Sequence, residues 1–120
     1  MKHSIFHRDL EESKEKERLR GQLQRLIDKW EPILGVHVLN WELRPMKTYW
    51  GSTNKTIGHT VFNTALAKLP PKTVEYLVVH ELVHHRTDGH DGRFYELMDQ
   101  NLPGWRKIQA RIEEPLTQYS

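Results

Sequence analysis

Between Val78 and His90 the sequence reads VVHELVHHRTDGH, placing four of the chain's eight histidines and one glutamate in a single short stretch. Within it, His80-Glu81-Leu82-Val83-His84 has the spacing H-E-x-x-H. Four residues is just over one helical turn, so the two imidazoles leave the same face of a helix at adjacent levels. That suits two ligands of one tetrahedral zinc ion at ~2.0–2.1 Å. Glu81 lies about 100° further round the helix. From there its carboxylate reaches water on such an ion without displacing a ligand, as a general base must. The chain has no cysteine, so a transition-metal site has only His and carboxylate to draw on, and disulfides are excluded.

A third ligand has to come from beyond the helix. His90 follows Asp88-Gly89, a pair that stops a helix and tolerates a left-handed turn, so the chain there can fold back on the ion. His90 is the first choice, and Glu96, from the following helical segment, is the alternative. The spacing of residues 80, 84 and 90 equals that of H-E-x-x-H-x-x-G-x-x-H. However, Thr87 stands where that pattern has glycine, and Met98 falls in a helical pattern rather than a turn. His85 points elsewhere on the helix, as a surface residue or a neighbour of the ligands. His59 and His37 read as structural residues of a turn and a strand, and His3 and His7 as solvent-exposed. Asp88 and Asp91 suit helix capping or a hydrogen bond to a ligating imidazole equally well.

These side chains need a scaffold. After a loose terminus, Leu19, Leu23, Leu26, Ile27 and Trp30 recur at three- and four-residue steps, which predicts a helix from Leu10 to about Trp30. Pro32 cannot sit deep in that helix, so it ends near Trp30 or turns once more before Gly35. A period of two over Val36–Leu43 predicts a strand, Met46–Gly51 a second and Ile57–Asn63 a third. Their short connections favour an antiparallel meander. After Pro70-Pro71, Thr73 is the N-cap candidate for a helix over Val74–Arg86 that is apolar nearly all round and therefore central. A metal-free H-E-x-x-H face on such a helix would leave polar groups to satisfy inside a core. Arg93–Gln100 reads as another helix, with Phe94, Leu97 and Met98 inward. A last helix follows Pro103, carrying Trp105, Ile108 and Ile112. Strands and helices are segregated along the chain, which predicts an α+β domain.

Length and composition agree. A chain of 120 residues with 37% hydrophobic and 28% charged residues suits one soluble globular domain, and neither disorder nor a membrane span. The start, MKHSIFHRDLEESKEKER, has no apolar stretch of a secretory signal, so a cytoplasmic location is expected. The net charge is only +2, and Arg18, Arg20, Arg25, Lys29, Arg106, Lys107 and Arg111 are dispersed among acids. They read as solvated helix faces and give nucleic acid little support as a partner. Oligomeric state is not set by the sequence.

Several separated blocks carry a wider resemblance: Met46-Lys47-Thr48-Tyr49-Trp50-Gly51-Ser52-Thr53, Phe62-Asn63, Pro70-Pro71, and Glu75 to His84, with His90, Phe94, Pro103 and Trp105. Together they resemble the YgjP-like metallopeptidases, a zincin group similar to the SprT-like and WLM proteases, over about Leu19 to Glu114. The resemblance implies zinc ligands His80, His84 and His90 and Glu81 as the catalytic base. The sequence departs from the family pattern at Tyr49 (commonly arginine), Thr53 (commonly cysteine), Asp91 (serine) and Tyr95 (tryptophan). The first two bear on substrate contacts or on strand packing.

The expected protein is thus a compact zincin-like domain: an N-terminal helix, a three-stranded antiparallel sheet, an active-site helix and C-terminal helices. Residues 1–18 form a partly flexible start, 19–114 the metallopeptidase domain and 115–120 a tail. The expected activity is zinc-dependent hydrolysis of a peptide or protein. Hydrolysis of a non-peptide bond such as a nucleotide phosphoanhydride is the first rival, and a non-catalytic, zinc-braced module binding DNA or protein is the second. The strand Ile57–Asn63 is the expected edge for an extended peptide, with Asn63 as a contact. Tyr49, Tyr76, Tyr95, His59 and Tyr119 are unranked candidates for a second electrophile.

Overall fold

A computed structural model describes residues 2–112, with side chains from residue 12 onward. The side chains of His3 and His7, and all of Tyr119, lie outside the described residues. The first element is helix α1 (Lys2–Leu34). Its expected stripe is present, since Leu19, Leu23, Ile27, Trp30 and Leu34 are all buried. They pack against the central helix α2 (Pro71–Val83) and a 3₁₀ turn at Thr64–Lys68. Lys29 Nζ and Trp30 Nε1 both donate to Glu75 Oε2 at 2.8 Å, tying α1 to α2. Burial works to raise the Glu75 pKa, but these two bonds and the Lys29 charge outweigh it and hold the carboxyl below its usual range.

The start of α1 differs from expectation, while its end takes the further turn before Gly35. The backbone is helical from Lys2 rather than Leu10, and it continues through Pro32 to Leu34. Pro32 falls in the last turn, where its missing N–H removes one bond while buried Leu34 keeps the turn on the core. Gly35 then takes φ +66° and leads the chain away.

The sheet is mixed rather than the expected antiparallel meander. β1 (Asn40–Arg44), β2 (Gly51–Asn54) and β3 (His59–Asn63) stand in the order β1-β3-β2, with β1 parallel and β2 antiparallel to β3. The segment read as a second strand is largely a loop that carries the chain past β3. Asn63 pins that loop: its Nδ2 donates to the Met46 and Tyr49 carbonyls at 3.0 and 2.9 Å. The Asn63 Oδ1 accepts from Ala65 N–H at 3.0 Å, capping the 3₁₀ turn. Asn63 is 2% exposed, so it is a structural residue and not a substrate contact. β3 is central, and the expectation that it forms a free edge is corrected. The edges are β1 and β2.

α2 is buried nearly all round, as expected of a central helix. Its N-cap is Pro70 with Pro71 in the first turn, not Thr73, which lies buried inside the helix. Pro71 brings no amide to satisfy, and the Thr73 and Val74 amides both donate to the Pro70 carbonyl at 3.0 Å, without a side-chain cap. α3 (Gly92–Asn101) and α4 (Trp105–Ile112) complete the α+β domain. No helix among the described residues is long and apolar enough to cross a membrane.

Candidate metal centre

α2 ends in a tightened turn. The amides of His84, His85 and Arg86 donate to the carbonyls of Glu81, Leu82 and Val83 at 3.2, 3.0 and 2.9 Å. These are i to i−3 bonds, and His84 keeps a right-handed helical backbone. The regular helix therefore stops at Val83 rather than Arg86, yet His80 and His84 stay on one face. Arg86 Nη1 donates to the Leu34 carbonyl at 2.8 Å, fixing the exit from α2 to the end of α1. Thr87 is buried, with its hydroxyl within 3.3 Å of the Val83 carbonyl and 3.2 Å of the Gly89 carbonyl. Gly89, at φ +67°, reverses the chain and brings His90 back to the helix.

The outcome is a cluster of three imidazoles. Nε2 of His84 lies 3.2 Å, and Nε2 of His90 3.3 Å, from Nε2 of His80. Two nitrogens bound to one tetrahedral ion at ~2.0–2.1 Å stand ~3.3–3.4 Å apart, so this donor set fits such an ion. Among the described residues no other group of His, Asp or Glu converges in this way. Glu96, the alternative third ligand, instead faces Arg93 at 3.5 Å with an exposed carboxylate.

The cluster rests on an aromatic floor. Phe94, 1% exposed, stacks on His84 (5.0 Å, 23°), lies tilted against His90 (4.6 Å, 44°) and takes His80 edge-on (5.0 Å, 73°). Tyr76 places its hydroxyl 3.3 Å from His80 Nδ1, and Trp105 stacks parallel to the Tyr76 ring at 6.3 Å. A partner on Nδ1 fixes the ring so that Nε2 faces the other imidazoles, as in known metal-ligating histidines. The sequence marked Phe94 as inward-facing and Tyr76 as a candidate electrophile, both within the blocks that carry the resemblance, but not their contacts with the imidazoles.

Glu81 is 1% exposed and lies against β2. A Cβ on Gly51 would stand 3.0 Å from Glu81 Cγ and 3.1 Å from its Oε2, so glycine is what allows the strand this close. Thr53 Oγ1 donates to Glu81 Oε1 at 2.8 Å. Beside His84 a cavity of about 290 Å³ opens between Ser52, Thr53 and Lys55 on one side and Thr87 and Asp88 on the other. An ion pair between Lys55 and Asp88 links its two walls.

The remaining candidates have other surroundings. His59 Nε2 lies 3.0 Å from Glu42, and His37 lies 3.6 Å from Glu31. Tyr95 stacks on Trp105 at 6.1 Å and is 41% exposed. Tyr49 offers its carbonyl to Asn63. His85 turns away from the cluster to Thr60, and burial pushes its pKa down against the opposing charge of Glu31.

Residues 6–114 match the family described as YgjP-like, metallopeptidase domain. The chain belongs to that family. As a YgjP-like metallopeptidase domain it acts on peptides or proteins. No curated protein sequence matches it. Two archaeal crystal structures are similar in fold. The metallopeptidase zymogen of Pyrococcus abyssi abylysin is 20% identical with a TM-score of 0.68, covering 79% of this chain and 99% of its own. That of Methanocaldococcus jannaschii jannalysin is 18% identical with a TM-score of 0.66, covering 75% and 92%.

Two departures from the YgjP-like pattern now have a physical account. Asp91, in place of serine, is the N-cap of α3 and accepts from Phe94 N–H at 3.0 Å, a task that serine and aspartate perform alike. Tyr95, in place of tryptophan, keeps a flat ring against Trp105. Nothing in the structure explains Tyr49.

Gly89 offers a test of how His90 is delivered. A Cβ there would meet no neighbouring atom, so alanine suffers only from the left-handed backbone, about 1–2 kcal/mol. Gly89→Ala is expected to weaken metal binding by roughly 5- to 30-fold in competition with a chromogenic chelator. Gly89→Asn should recover most of it, because asparagine visits that region. Equal affinity for glycine and alanine would show that the turn does not control His90.

Proposed function

We propose that His80, His84 and His90 hold a zinc ion and that Glu81 is the general base of peptide-bond hydrolysis, with residues 19–114 as the catalytic unit. The observation that carries this reading is the convergence of three imidazoles, with His84 and His90 at 3.2 and 3.3 Å from His80, next to a buried carboxylate on the same helix. An all-imidazole set suits zinc, and three protein donors is the count of catalytic rather than structural sites. When bound, zinc supplies Lewis-acid polarisation of a carbonyl and acidifies water. Glu81 accepts a proton from the attacking water and hands it to the leaving amine. The sheet edge β2, which lies against Glu81, takes the place of β3 as the strand on which an extended substrate pairs through its backbone. The cavity beside His84 then receives a substrate side chain.

Protein stripped with a chelator should cleave nothing in a mixed pool of quenched fluorescent peptides, and one equivalent of zinc should restore cleavage. Nucleoside triphosphates assayed in parallel should stay intact. Cleavage indifferent to chelation, or phosphate release in place of peptide cleavage, would overturn the reading.

A further inference from the structure

We propose that Thr53, held from behind by Thr60 and His85, is a positioning residue for the Glu81 carboxylate. This rests on Glu81 acting as the base. Four side chains form one unbroken series. Thr53 Oγ1 lies 2.8 Å from Glu81 Oε1, Thr60 Oγ1 lies 2.9 Å from Thr53 Oγ1, and His85 Nε2 lies 2.8 Å from Thr60 Oγ1. The two threonines are direct cross-strand partners in the antiparallel pairing of β2 with β3. Glu81 and His85 bracket them from α2 and the turn that follows it.

The direction of the series follows from counting protons. An ionised carboxylate accepts only, and a hydroxyl has one proton to give. Thr53 gives its proton to Glu81 Oε1, the nearer of two acceptors, since the Glu81 carbonyl stands at 3.1 Å. Thr53 must then accept from Thr60, and Thr60, its own proton committed, must accept from His85. Every hydrogen of the series is thereby assigned, and His85 carries a proton on Nε2. Bonds in such a chain polarise one another, and the last one, onto a charge, is the strongest. Thr60 has no exposed surface, so bulk water does not compete for the middle of the chain.

Gly51 and Thr53, two apart on β2, share one face of the strand. Gly51 makes room for the Glu81 side chain, and Thr53 binds one of its oxygens. A glutamate carboxylate otherwise rotates freely about its last torsion. A hydroxyl is a firm donor to a carboxylate where a thiol would donate only weakly, so the residue type at position 53 bears on the support of the base.

The test uses the quenched peptide that the zinc-loaded protein cleaves fastest. Thr53→Val preserves shape and removes the hydroxyl. It is expected to lower kcat by roughly 10- to 100-fold, with KM within about twofold and zinc content unchanged. Thr53→Ser should restore kcat. Thr60→Val should lower kcat less and add little to Thr53→Val, because the chain is already cut. Independently of activity, long-range ¹H–¹⁵N NMR of the zinc-loaded wild type should find a proton on Nε2 of His85. A Thr53→Val kcat within twofold of wild type, a Thr53→Ser variant no better than Thr53→Val, or an Nδ1–H tautomer at His85 would each overturn the proposal. Glu81→Gln separates the two readings. If it is inactive while Thr53→Val is normal, only the positioning role fails. If it is fully active, the base assignment fails as well.

Discussion

Glu81→Gln should retain its zinc and lose peptide hydrolysis by about 10²- to 10⁴-fold. Glutamine has the same length and branching, so it fits the space that Gly51 leaves 3.0 Å from the Glu81 Cγ. Its amide oxygen can still accept from Thr53. What it cannot do is take a proton from water and return it to a leaving amine. Because Glu81 is 1% exposed and packed against β2, solvent cannot readily supply a replacement base. Zinc content and cleavage rate, measured on the same preparation, decide the matter. Full activity at full zinc content would remove Glu81 from the mechanism, and loss of zinc would make it part of the metal's support.

His84→Ala should lose metal, activity and much of the protein's thermal stability together. An ion present at ~1,000 times its dissociation constant stabilises the folded state by about 4 kcal/mol. For a domain of this size that corresponds to a Tm difference of roughly 15 °C. The substitution also removes the ring that stacks on Phe94 at 5.0 Å, so wild-type and variant Tm values differ for two reasons. The telling quantity is the rise in Tm on adding zinc to chelated protein. Wild type should show it and His84→Ala should not. A wild-type Tm indifferent to zinc would mean that the three imidazoles do not hold an ion tightly.

What the sequence revealed and what it concealed divide along the range of the interactions. The grouping of His80 and His84 was legible because helical period is local, and the return of His90 because Asp88-Gly89 announces a reversal. The stripe from Leu19 to Trp30 was legible for the same reason. The strand order was not. Alternation shows that a strand exists but not which neighbour it takes, and here the pairing of β1 with β3 passes over residues 45–58, which include β2 and the loop that Asn63 holds down. Thr73 resembled a cap by residue type, while Pro70 takes the cap position and Pro71 the first turn. The support of Glu81 by Gly51 and Thr53 was invisible, since it joins residues about thirty positions apart whose types announce nothing about each other.

That same division sets how the centre comes together and how it fails. The three histidines lie within residues 80–90, on one helix end and the turn after it, so they can gather as soon as that segment is formed. The groups around Glu81 come from residues 51, 53 and 60, and they arrive only when the hairpin docks. β2 is a short edge strand, and edges open before cores do. If the three imidazoles hold an ion as proposed, a partly opened molecule would keep it after the Glu81 carboxylate had lost alignment. Metal occupancy and catalytic competence then have different thresholds, and a preparation full of zinc is not by that fact a preparation of working enzyme.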